Sequence, residues 1–505
     1  MFCHQLPCAH ASIGQPGIQQ PAVCGADTPG QLTAALTAAP LRASPNHRAF
    51  RSPKAIRSRS QSVKIRGQCR LCHTRCQASK ASADAPPSID VSPEVGKGKK
   101  LLIIGGTGRV GSSTAASLVK THPNLTIILG TRRQEGYDAA VKNRPELGGL
   151  EHRIVDRNNL QSILSSMEGC DMVLHTAGPF QRKKECLVLE AAIQAKIPYL
   201  DVCDDNDYAA RAKADYHEKA RAAGVPAITS GGIYPGVSNV MAAHMVSTAR
   251  REYNQDGHFV GKDGVDKEGA VEPKKLQYFY YTAGTGGVGP TIMETSYLLA
   301  GTPVIAYADG KKVEAKPISQ PLTIDFGKGL GRKTVWLYNL PEVESAFKYM
   351  KVPNVSARFG TDPAFWNWAM VATARFLPVK IITDRAKIRA FAKATSPVIK
   401  AIDPIIGEKV GMRVDLELAD GSKACGVFIH KKLSDSAGTC IAAFVDTMLQ
   451  GGTQPGVWFP EEPEAVKDRM RLLTQSAQGC IRFELNQPPW KIESDAKQMG
   501  MGFYW

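Results

Sequence analysis

Two absences narrow the class of this 505-residue chain from the start. No apolar run approaches the roughly 18 residues that a membrane-spanning helix needs, which argues against a bilayer span. Acidic residues are nearly missing from the first 80 positions, where Asp27 stands alone beside 11 Lys and Arg. The same region has no compact apolar stretch of about 7–15 residues, which excludes a secretory signal peptide.

The first 78 residues have the composition of an organelle import signal: rich in Arg, Ser and Ala, and poor in acids. We predict a transit peptide over 1–78, a linker over 79–97 and a chloroplast location, with the mitochondrion as the alternative. Because the first 80 residues hold 11 of the 63 basic and 1 of the 47 acidic residues, the net charge falls from +16 to +6 without them. The basic composition therefore gives no support for nucleic-acid binding.

Cysteine is present but forms no recognisable framework. Six of the 12 cysteines lie in the first 80 residues, and the others are scattered, as in an enzyme of a reducing compartment. Cys69, Cys72, His73 and Cys76 have the side-chain types of a metal cluster, but the motif lacks a second half and adjoins the predicted cleavage region. We predict no metal site.

A strand, a glycine-rich turn and a helix follow one another from position 101. Leu101–Ile104 predicts a buried parallel strand and Ser112–Val119 a helix, with Gly-x-Gly-x-x-Gly between them. These glycines allow a tight turn, close approach of a pyrophosphate and close helix–strand packing, and the helix N-terminus attracts phosphate. The residues predicted to bind a dinucleotide here are Gly106, Thr107, Gly108, Arg109, Val110 and Gly111.

Alternating apolar and helical segments continue beyond this motif. They predict an α/β fold with a Rossmann-type doubly wound parallel sheet over 98–235. After residue 235 the regular alternation of strands and helices gives way to strands with hairpin-like turns. Asp420-Gly421 lies between two predicted strands, Arg413–Leu418 and Lys423–Ile429, and indicates a β-hairpin. A second, mixed-sheet α+β domain is therefore predicted over 236–435.

The second predicted strand ends without the carboxylate that commonly binds the ribose of NAD. It ends at Thr131-Arg132-Arg133 instead, and a guanidinium is a good partner for a phosphate. We therefore predict NADP as the cofactor, with NAD as the alternative. The other interpretation of Arg132 and Arg133 is that they merely begin a solvent-exposed helix. The predicted cofactor contacts in this part of the chain are Thr131, Arg132, Arg133, Asp156, Ala177, Gly178 and Pro179.

The substrate is expected beyond the carboxyl ends of the strands, where open α/β sheets bind ligands. Asp201 and Asp204 follow the fifth strand, and paired carboxylates there can raise each other's pKa or bind an amine. Tyr234 follows the sixth strand and can donate a proton to a reduced carbonyl or imine. We predict these three as catalytic residues, with helix capping by Asp204 and simple packing by Tyr234 as alternatives.

The motifs, taken in order, resemble the saccharopine dehydrogenase-like family of NAD(P)-dependent oxidoreductases. They are Ile103–Gly108, Ala177–Phe180, Tyr199–Val202 and Gly232–Gly236. The resemblance implies a Rossmann domain, a mixed α/β substrate domain, C-terminal elements over 436–505 that return to the first domain, and hydride exchange at a carbon–nitrogen bond. Members that form saccharopine tend to have Gly-x-Asp-Pro-Gly where this chain has Tyr234 in place of the Asp. The resemblance therefore supports the type of cofactor more strongly than the identity of the substrate.

We therefore predict an NADP(H)-dependent oxidoreductase acting on an imine, secondary amine or carbonyl compound in a cleft between the domains. The expected partners are a small-molecule substrate, with amino-acid derivatives among the candidates, and a second copy in a homodimer. The alternative is a non-catalytic NADP-binding regulatory protein or membrane-surface scaffold, because no unambiguous acid–base pair stands out. Aromatic residues in Phe365–Val371, followed by the basic segment Lys380–Lys393, are compatible with peripheral membrane contact. A packed core helix with a basic outer face is the commoner alternative for this pattern.

Overall fold

The computed structural model describes residues 92–181, 183–253, 269–284, 296–378 and 407–493, with single positions between 382 and 394. The predicted transit peptide, the Cys69–Cys76 motif and much of the basic segment after 378 lie outside these residues. The two sheets of the described part belong to one structural unit, Lys80–Trp505. No helix in this part of the chain is long and apolar enough to cross a membrane.

The first sheet has seven parallel strands. In chain order they are β1 (Lys100–Ile104), β2 (Thr126–Thr131), β3 (Glu151–Ile154), β4 (Met172–His175), β5 (Tyr199–Asp201), β6 (Pro226–Ile228) and β15 (Gly456–Trp458). Their order across the sheet is β3-β2-β1-β4-β5-β6-β15, so the direction of winding reverses between β1 and β4. This is a doubly wound sheet, and the predicted fold class is confirmed.

Helices cover both faces of this sheet. The helices that follow its strands are α1 (Arg109–Thr121), α2 (Gln134–Asn143), α3 (Leu160–Met167), α4 (Leu187–Ala195), α5 (Asn206–Ala223) and α6 (Val237–Ala249). Alternate side chains of a strand point to opposite faces. In β1, Leu101 and Ile103 pack in one core and Leu102 and Ile104 in another. Burial on both faces explains why this strand is a continuous apolar run.

The second sheet is mixed, as predicted. Its strands are β7 (Pro273–Ala283), β8 (Val304–Ala308), β9 (Lys311–Ala315), β10 (Ser319–Asp325), β11 (Arg332–Leu337), β12 (Asn354–Asp362), β13 (Lys409–Leu418), β14 (Lys423–His430) and β16 (Arg482–Gln487). The main path is β10-β11-β12-β7-β13-β14-β16, with β8 beside β12 and β9 beside β8. The pairing of β7 with β12 is parallel, and β13 and β14 form the antiparallel hairpin indicated by Asp420-Gly421.

The C-terminal region divides between the two sheets. The remaining helices are α7 (Pro341–Ser345), α8 (Ala364–Phe376), α9 (Leu433–Leu449), α10 (Arg469–Ser476) and α11 (Pro489–Ile492). Helix α9 packs along α1, and β15 extends the first sheet beside β6. Strand β16, however, pairs with β14 in the second sheet. The expectation that 436–505 returns to the first domain as a whole therefore fails for 482–487.

The packing of α9 on α1 depends on a glycine. A Cβ at Gly438 would lie 2.5 Å from the carbonyl oxygen of Ser113, so a larger residue would push the two helices apart. The Ser113 hydroxyl also donates a hydrogen bond to the Ser434 carbonyl at 2.6 Å. At the other end of the contact, His122 Nε2 and Asp446 Oδ1 lie 3.0 Å apart, and both side chains are buried.

A buried polar cluster lies where α6, α7 and β7 meet the chain at residue 461. We call it the Glu342 cluster; its members are Asn239, Tyr278, Tyr280, Glu342 and Glu461. Asn239 Nδ2 donates to Glu461 Oε2 at 3.1 Å. Glu342 is 0% exposed and Glu461 2% exposed, and one oxygen of each carboxyl has no hydrogen-bond partner among the described residues. This burial raises the pKa of both carboxyls to about 7.

The Glu342 cluster should make the protein less stable as the pH rises. The two raised pKa values mean that the unfolded chain releases these protons first, so the contribution of the two carboxyls to stability is fully present below about pH 4.5 and is lost as the pH rises through about 7. A shift of this size corresponds to about 3 kcal/mol for each carboxyl. We expect Glu342→Gln to remove part of the decline, measured as the free energy of unfolding in urea at a series of pH values.

Glu344→Gln is the matched control, because Glu344 lies on the same helix but is only half-buried. It should leave the pH dependence of stability unchanged. The same decline with pH in wild type and Glu342→Gln would contradict the assignment.

Candidate functional site

A cavity of about 1040 Å³ opens at the carboxyl ends of the strands of the first sheet. It runs from the turn after β1, past the ends of β2 and β4, to the segments that follow β5 and β6. Its volume is at the upper end of the range for small-molecule and cofactor sites. The sequence-predicted residues that line it are Thr107, Gly108, Arg109, Val110, Thr131, Arg132, Arg133, Ala177, Gly178, Pro179, Asp204 and Tyr234.

The glycine turn brings the start of α1 close to the end of β1. A Cβ at Gly111 would lie 2.4 Å from the carbonyl oxygen of Gly105 and 2.6 Å from Thr176 Oγ1, so no larger residue fits. Gly106 and Gly111 shape the turn without lining the cavity themselves. Helix α1 begins directly after Gly108, which provides no side-chain cap. The first backbone N–H groups of the helix are therefore open to an anion in the cavity.

The end of β2 places two arginines at this cavity. Thr131 accepts a hydrogen bond from the Thr107 hydroxyl and donates one to the Arg133 carbonyl, both at 3.1 Å, which ties the strand end to the glycine turn. The side chains of Arg132 and Arg133 are exposed, and neither forms a hydrogen bond or ion pair with the described residues. Two guanidiniums without partners are chemically suited to a phosphate group.

Asp156 does not reach the cavity. Its Oδ1 accepts hydrogen bonds from the backbone N–H and the side-chain amide of Asn158, at 3.0 and 3.3 Å. Its neighbours Val155 and Arg157 line the cavity instead, and Arg157 Nη1 donates to the Gly178 carbonyl at 2.8 Å. The predicted contact of Asp156 with the cofactor is therefore not supported, since the carboxylate stabilises a turn. Sequence reasoning missed Arg157, although positions 155 and 157 share a side of an extended chain.

Asp201 lies beneath the cavity and is 0% exposed. Its Oδ1 accepts hydrogen bonds from the backbone N–H groups of Cys203 at 3.0 Å and Ser230 at 2.8 Å. Its Oδ2 accepts from the Tyr199 hydroxyl at 2.8 Å, and the Thr229 hydroxyl lies 3.1 Å from both oxygens. The carboxylate joins the ends of β5 and β6. The structure therefore gives Asp201 a structural position, and the prediction of a catalytic role is not supported.

Asp204 lines the cavity, as does Glu135, two residues beyond Arg133. The Asp204 side chain is open to the cavity but surrounded by protein atoms, and this desolvation raises its pKa to about 6. The next residue, Asp205, caps α5 by accepting a hydrogen bond from the Tyr208 backbone N–H at 2.8 Å. Capping of the following helix was the alternative role predicted for Asp204, but Asp205 is the residue that caps α5. A carboxyl with a pKa near 6 can gain or lose a proton close to neutral pH.

Tyr234 forms part of the same cavity wall. Its ring stacks on that of Tyr280, with 4.8 Å between centroids and 19° between planes, and so contacts the Glu342 cluster. Burial, and then the charge of Glu342, raise the pKa of Tyr234 well above its usual range. The hydroxyl therefore stays protonated at neutral pH. It forms no hydrogen bond within the described residues, which leaves its proton available to a ligand.

The rest of the wall comes from distant parts of the chain. Ala437 and Ile441 of α9 and Ser296 line the cavity, although they are far from the glycine turn in sequence. No local pattern indicates these positions; Ala437 and Ile441 reach the cavity through the packing of α9 on α1. The cavity is thus formed jointly by the first sheet and by later segments of the chain.

Comparison with known proteins gives one match in sequence and several in fold. Residues 101–228 match the model of the saccharopine dehydrogenase NADP binding domain. No curated protein matches the chain in sequence. Among solved structures, it is similar to apo saccharopine dehydrogenase (L-Glu forming) from Saccharomyces cerevisiae, at 12% identity and a TM-score of 0.51. That likeness covers 74% of this chain and 96% of the yeast chain, and it concerns the fold.

Two other similarities are too distant to support an argument. Pen from Bacillus thuringiensis is 20% identical with a TM-score of 0.21, over 26% of this chain and 49% of that chain. A mutant meso-dapdh with DAP from Clostridium tetani is 12% identical with a TM-score of 0.35, over 72% of this chain and 93% of that chain.

The residues of the cavity fit the cofactor that the family model names. The start of α1 offers backbone N–H groups to a pyrophosphate, and Arg132 and Arg133 offer guanidiniums without partners to a 2′-phosphate. NADP is thus the cofactor of this domain. Residues 101–228 therefore form a domain of the saccharopine dehydrogenase NADP binding family.

Proposed function

We propose that the protein transfers a hydride between NADP(H) and the carbon of an imine, a secondary amine or a carbonyl compound. The observation that carries this proposal is the continuity of one cavity. It joins the glycine turn and the two arginines to Asp204 and Tyr234 without an intervening wall. A cofactor and a small substrate can therefore meet in the same space.

The chain's own groups would hold the cofactor in a defined direction. The start of α1 would bind the pyrophosphate, Arg132 and Arg133 would bind the 2′-phosphate, and Ala177–Pro179 would leave space for the nicotinamide end. When bound, NADPH supplies the hydride. The small side chains after β4 and the absence of a carboxylate at the end of β2 both support this direction.

The proton that accompanies the hydride needs a group of suitable pKa. Hydride addition to a C=N or C=O carbon leaves an electron pair on the nitrogen or oxygen, which must take up a proton. Because the pKa of Asp204 is about 6, its carboxyl can give that proton in reduction and take it back in oxidation. The much higher pKa of Tyr234 suits a different role, in which its hydroxyl donates a hydrogen bond and orients the same atom.

A non-catalytic NADP-binding protein is the competing function. Its strongest support is that Asp201 is buried outside the cavity. Among the described residues that line the cavity, the other carboxylate besides Asp204 is Glu135, which follows the two arginines in the sequence. This alternative predicts cofactor binding without turnover, so a binding assay and a turnover assay together distinguish the two functions.

The first test concerns the cofactor. We expect Arg132→Ala combined with Arg133→Ala to weaken NADPH binding about tenfold or more and to leave NADH binding nearly unchanged, because only NADPH carries the 2′-phosphate. Isothermal titration calorimetry with both cofactors measures the difference. Lys142→Ala removes an exposed positive charge from α2, the helix that follows the two arginines, and should change neither affinity. Equal affinities of wild type for NADPH and NADH would contradict the assignment of the arginines.

The second test concerns the proton. NADPH-driven reduction should decline as the pH rises through about 6, because Asp204 then loses the proton it donates. Asp204→Asn should lower kcat about 100-fold or more and abolish this decline, with NADPH affinity retained. Tyr234→Phe should mainly raise KM. NADPH absorbance, followed with a panel of amino acid and oxoacid pairs, reports all three.

Asp207→Asn is the control for the second test, since this exposed carboxylate lies on α5 outside the cavity. It should behave as wild type. A wild-type kcat in Asp204→Asn would refute the role of Asp204, and tight NADPH binding without turnover of any pair would favour the non-catalytic alternative.

A further inference from the structure

One side of α8 carries large apolar side chains that face away from the protein. Phe365 is 53% exposed, Trp368 63% and Phe376 82%. The described residues contain nine large hydrophobic side chains that are more than about a third exposed, and three of them belong to this 13-residue helix. Exposed aromatic residues at such a density mark interaction surfaces on soluble domains.

The exposed side chains form one continuous stripe. At about 100° of rotation per residue, positions 365, 368, 369, 372 and 376 of a helix fall within an arc of about 100°. In α8 all five positions are apolar and exposed. We call them the α8 stripe; its members are Phe365, Trp368, Ala369, Ala372 and Phe376. Arg375 is exposed at the edge of the stripe.

The opposite side of α8 is anchored, so the orientation of the stripe is determined by packing. Met370 is 2% exposed in a small core with Trp336 and Ile382. Asn367 is buried; its side-chain amide donates to the Thr361 carbonyl at 2.6 Å, and its oxygen accepts from the Thr361 backbone N–H at 3.1 Å. The helix therefore presents its aromatic residues outward on a fixed support.

The charge of the neighbouring sequence indicates what covers the stripe. Between positions 375 and 400 there are seven basic residues and one acid, Asp384. The basic residues are Arg375, Lys380, Arg385, Lys387, Arg389, Lys393 and Lys400. Their net charge of +6 equals the net charge of the whole chain beyond residue 80. Beyond the first 80 residues, positive charge is thus concentrated in the stretch of sequence that begins in the last turn of α8.

Aromatic side chains next to a polybasic segment suit the interface of an anionic membrane. The rings enter the headgroup region, and Lys and Arg are attracted to negatively charged lipids. We propose that the α8 stripe binds the surface of an anionic lipid bilayer, with Phe365, Trp368 and Phe376 inserted at the headgroup level and the exposed Arg375 available to the anionic headgroups. This inference is independent of the proposed reaction.

Vesicle sedimentation with the full-length chain tests the proposal. The protein should bind vesicles that contain phosphatidylglycerol at least tenfold more strongly than vesicles of phosphatidylcholine alone. Changing Phe365, Trp368 and Phe376 together to Ser should lower binding to the anionic vesicles at least tenfold. Because the basic leader can itself bind anionic lipid, the comparison is made between full-length variants that share it.

Trp490→Ser is the matched control, since Trp490 is 76% exposed but lies outside α8. It should bind vesicles as wild type does. Lipids with brominated acyl chains provide a second readout: they should quench tryptophan fluorescence less in Trp368→Ser than in Trp490→Ser. NADPH titration of each variant verifies that the cofactor domain is folded.

Two results would overturn the proposal. The first is equal vesicle binding by the triple variant and wild type. The second is a change of sedimentation from dimer to monomer in the triple variant with no change in vesicle binding, which would assign the stripe to contact between two copies of the chain.

Discussion

The cofactor side of the molecule depends on the position of α1, which is set by close contacts at two glycines. On one side, Gly111 lets the helix approach the carbonyl oxygen of Gly105 at the end of β1. On the other, Gly438 lets α9 approach the backbone of Ser113. A side chain at either glycine would displace α1, and with it the N–H groups at its start. The cavity wall formed by α9 would move as well.

The chemistry of the cavity depends on how many donors each carboxylate receives. Asp201 and Asp204 are three residues apart, yet Asp201 is surrounded by hydrogen-bond donors from β5, β6 and the following turns, whereas Asp204 faces open space. The hydrogen bonds of Asp201 join the ends of β5 and β6. Asp204 retains a proton that can be exchanged near neutral pH. The difference in hydrogen-bond donors thus distinguishes a structural carboxylate from the one that we propose as the proton donor.

Sequence patterns predicted those parts of the molecule whose structure is set by residues close together in the sequence. The apolar run of β1 and the glycine turn of the first sheet, and the Asp420-Gly421 hairpin of the second sheet, each follow from neighbouring residues and could be predicted from them. The sequence pattern did not reveal that the carboxylates of Asp156 and Asp201 already accept hydrogen bonds from neighbouring protein groups. The role of α9 and the burial of Glu342 depend on contacts between residues far apart in sequence, so no window of sequence could reveal them.

A crystal structure of the protein with NADP⁺ tests this arrangement most directly. We expect the pyrophosphate against the first N–H groups of α1, the 2′-phosphate within hydrogen-bond distance of Arg132 or Arg133, and the nicotinamide ring in the part of the cavity that Asp204 and Tyr234 line. A dinucleotide bound outside this cavity, or one whose 2′-phosphate contacts neither arginine, would contradict it.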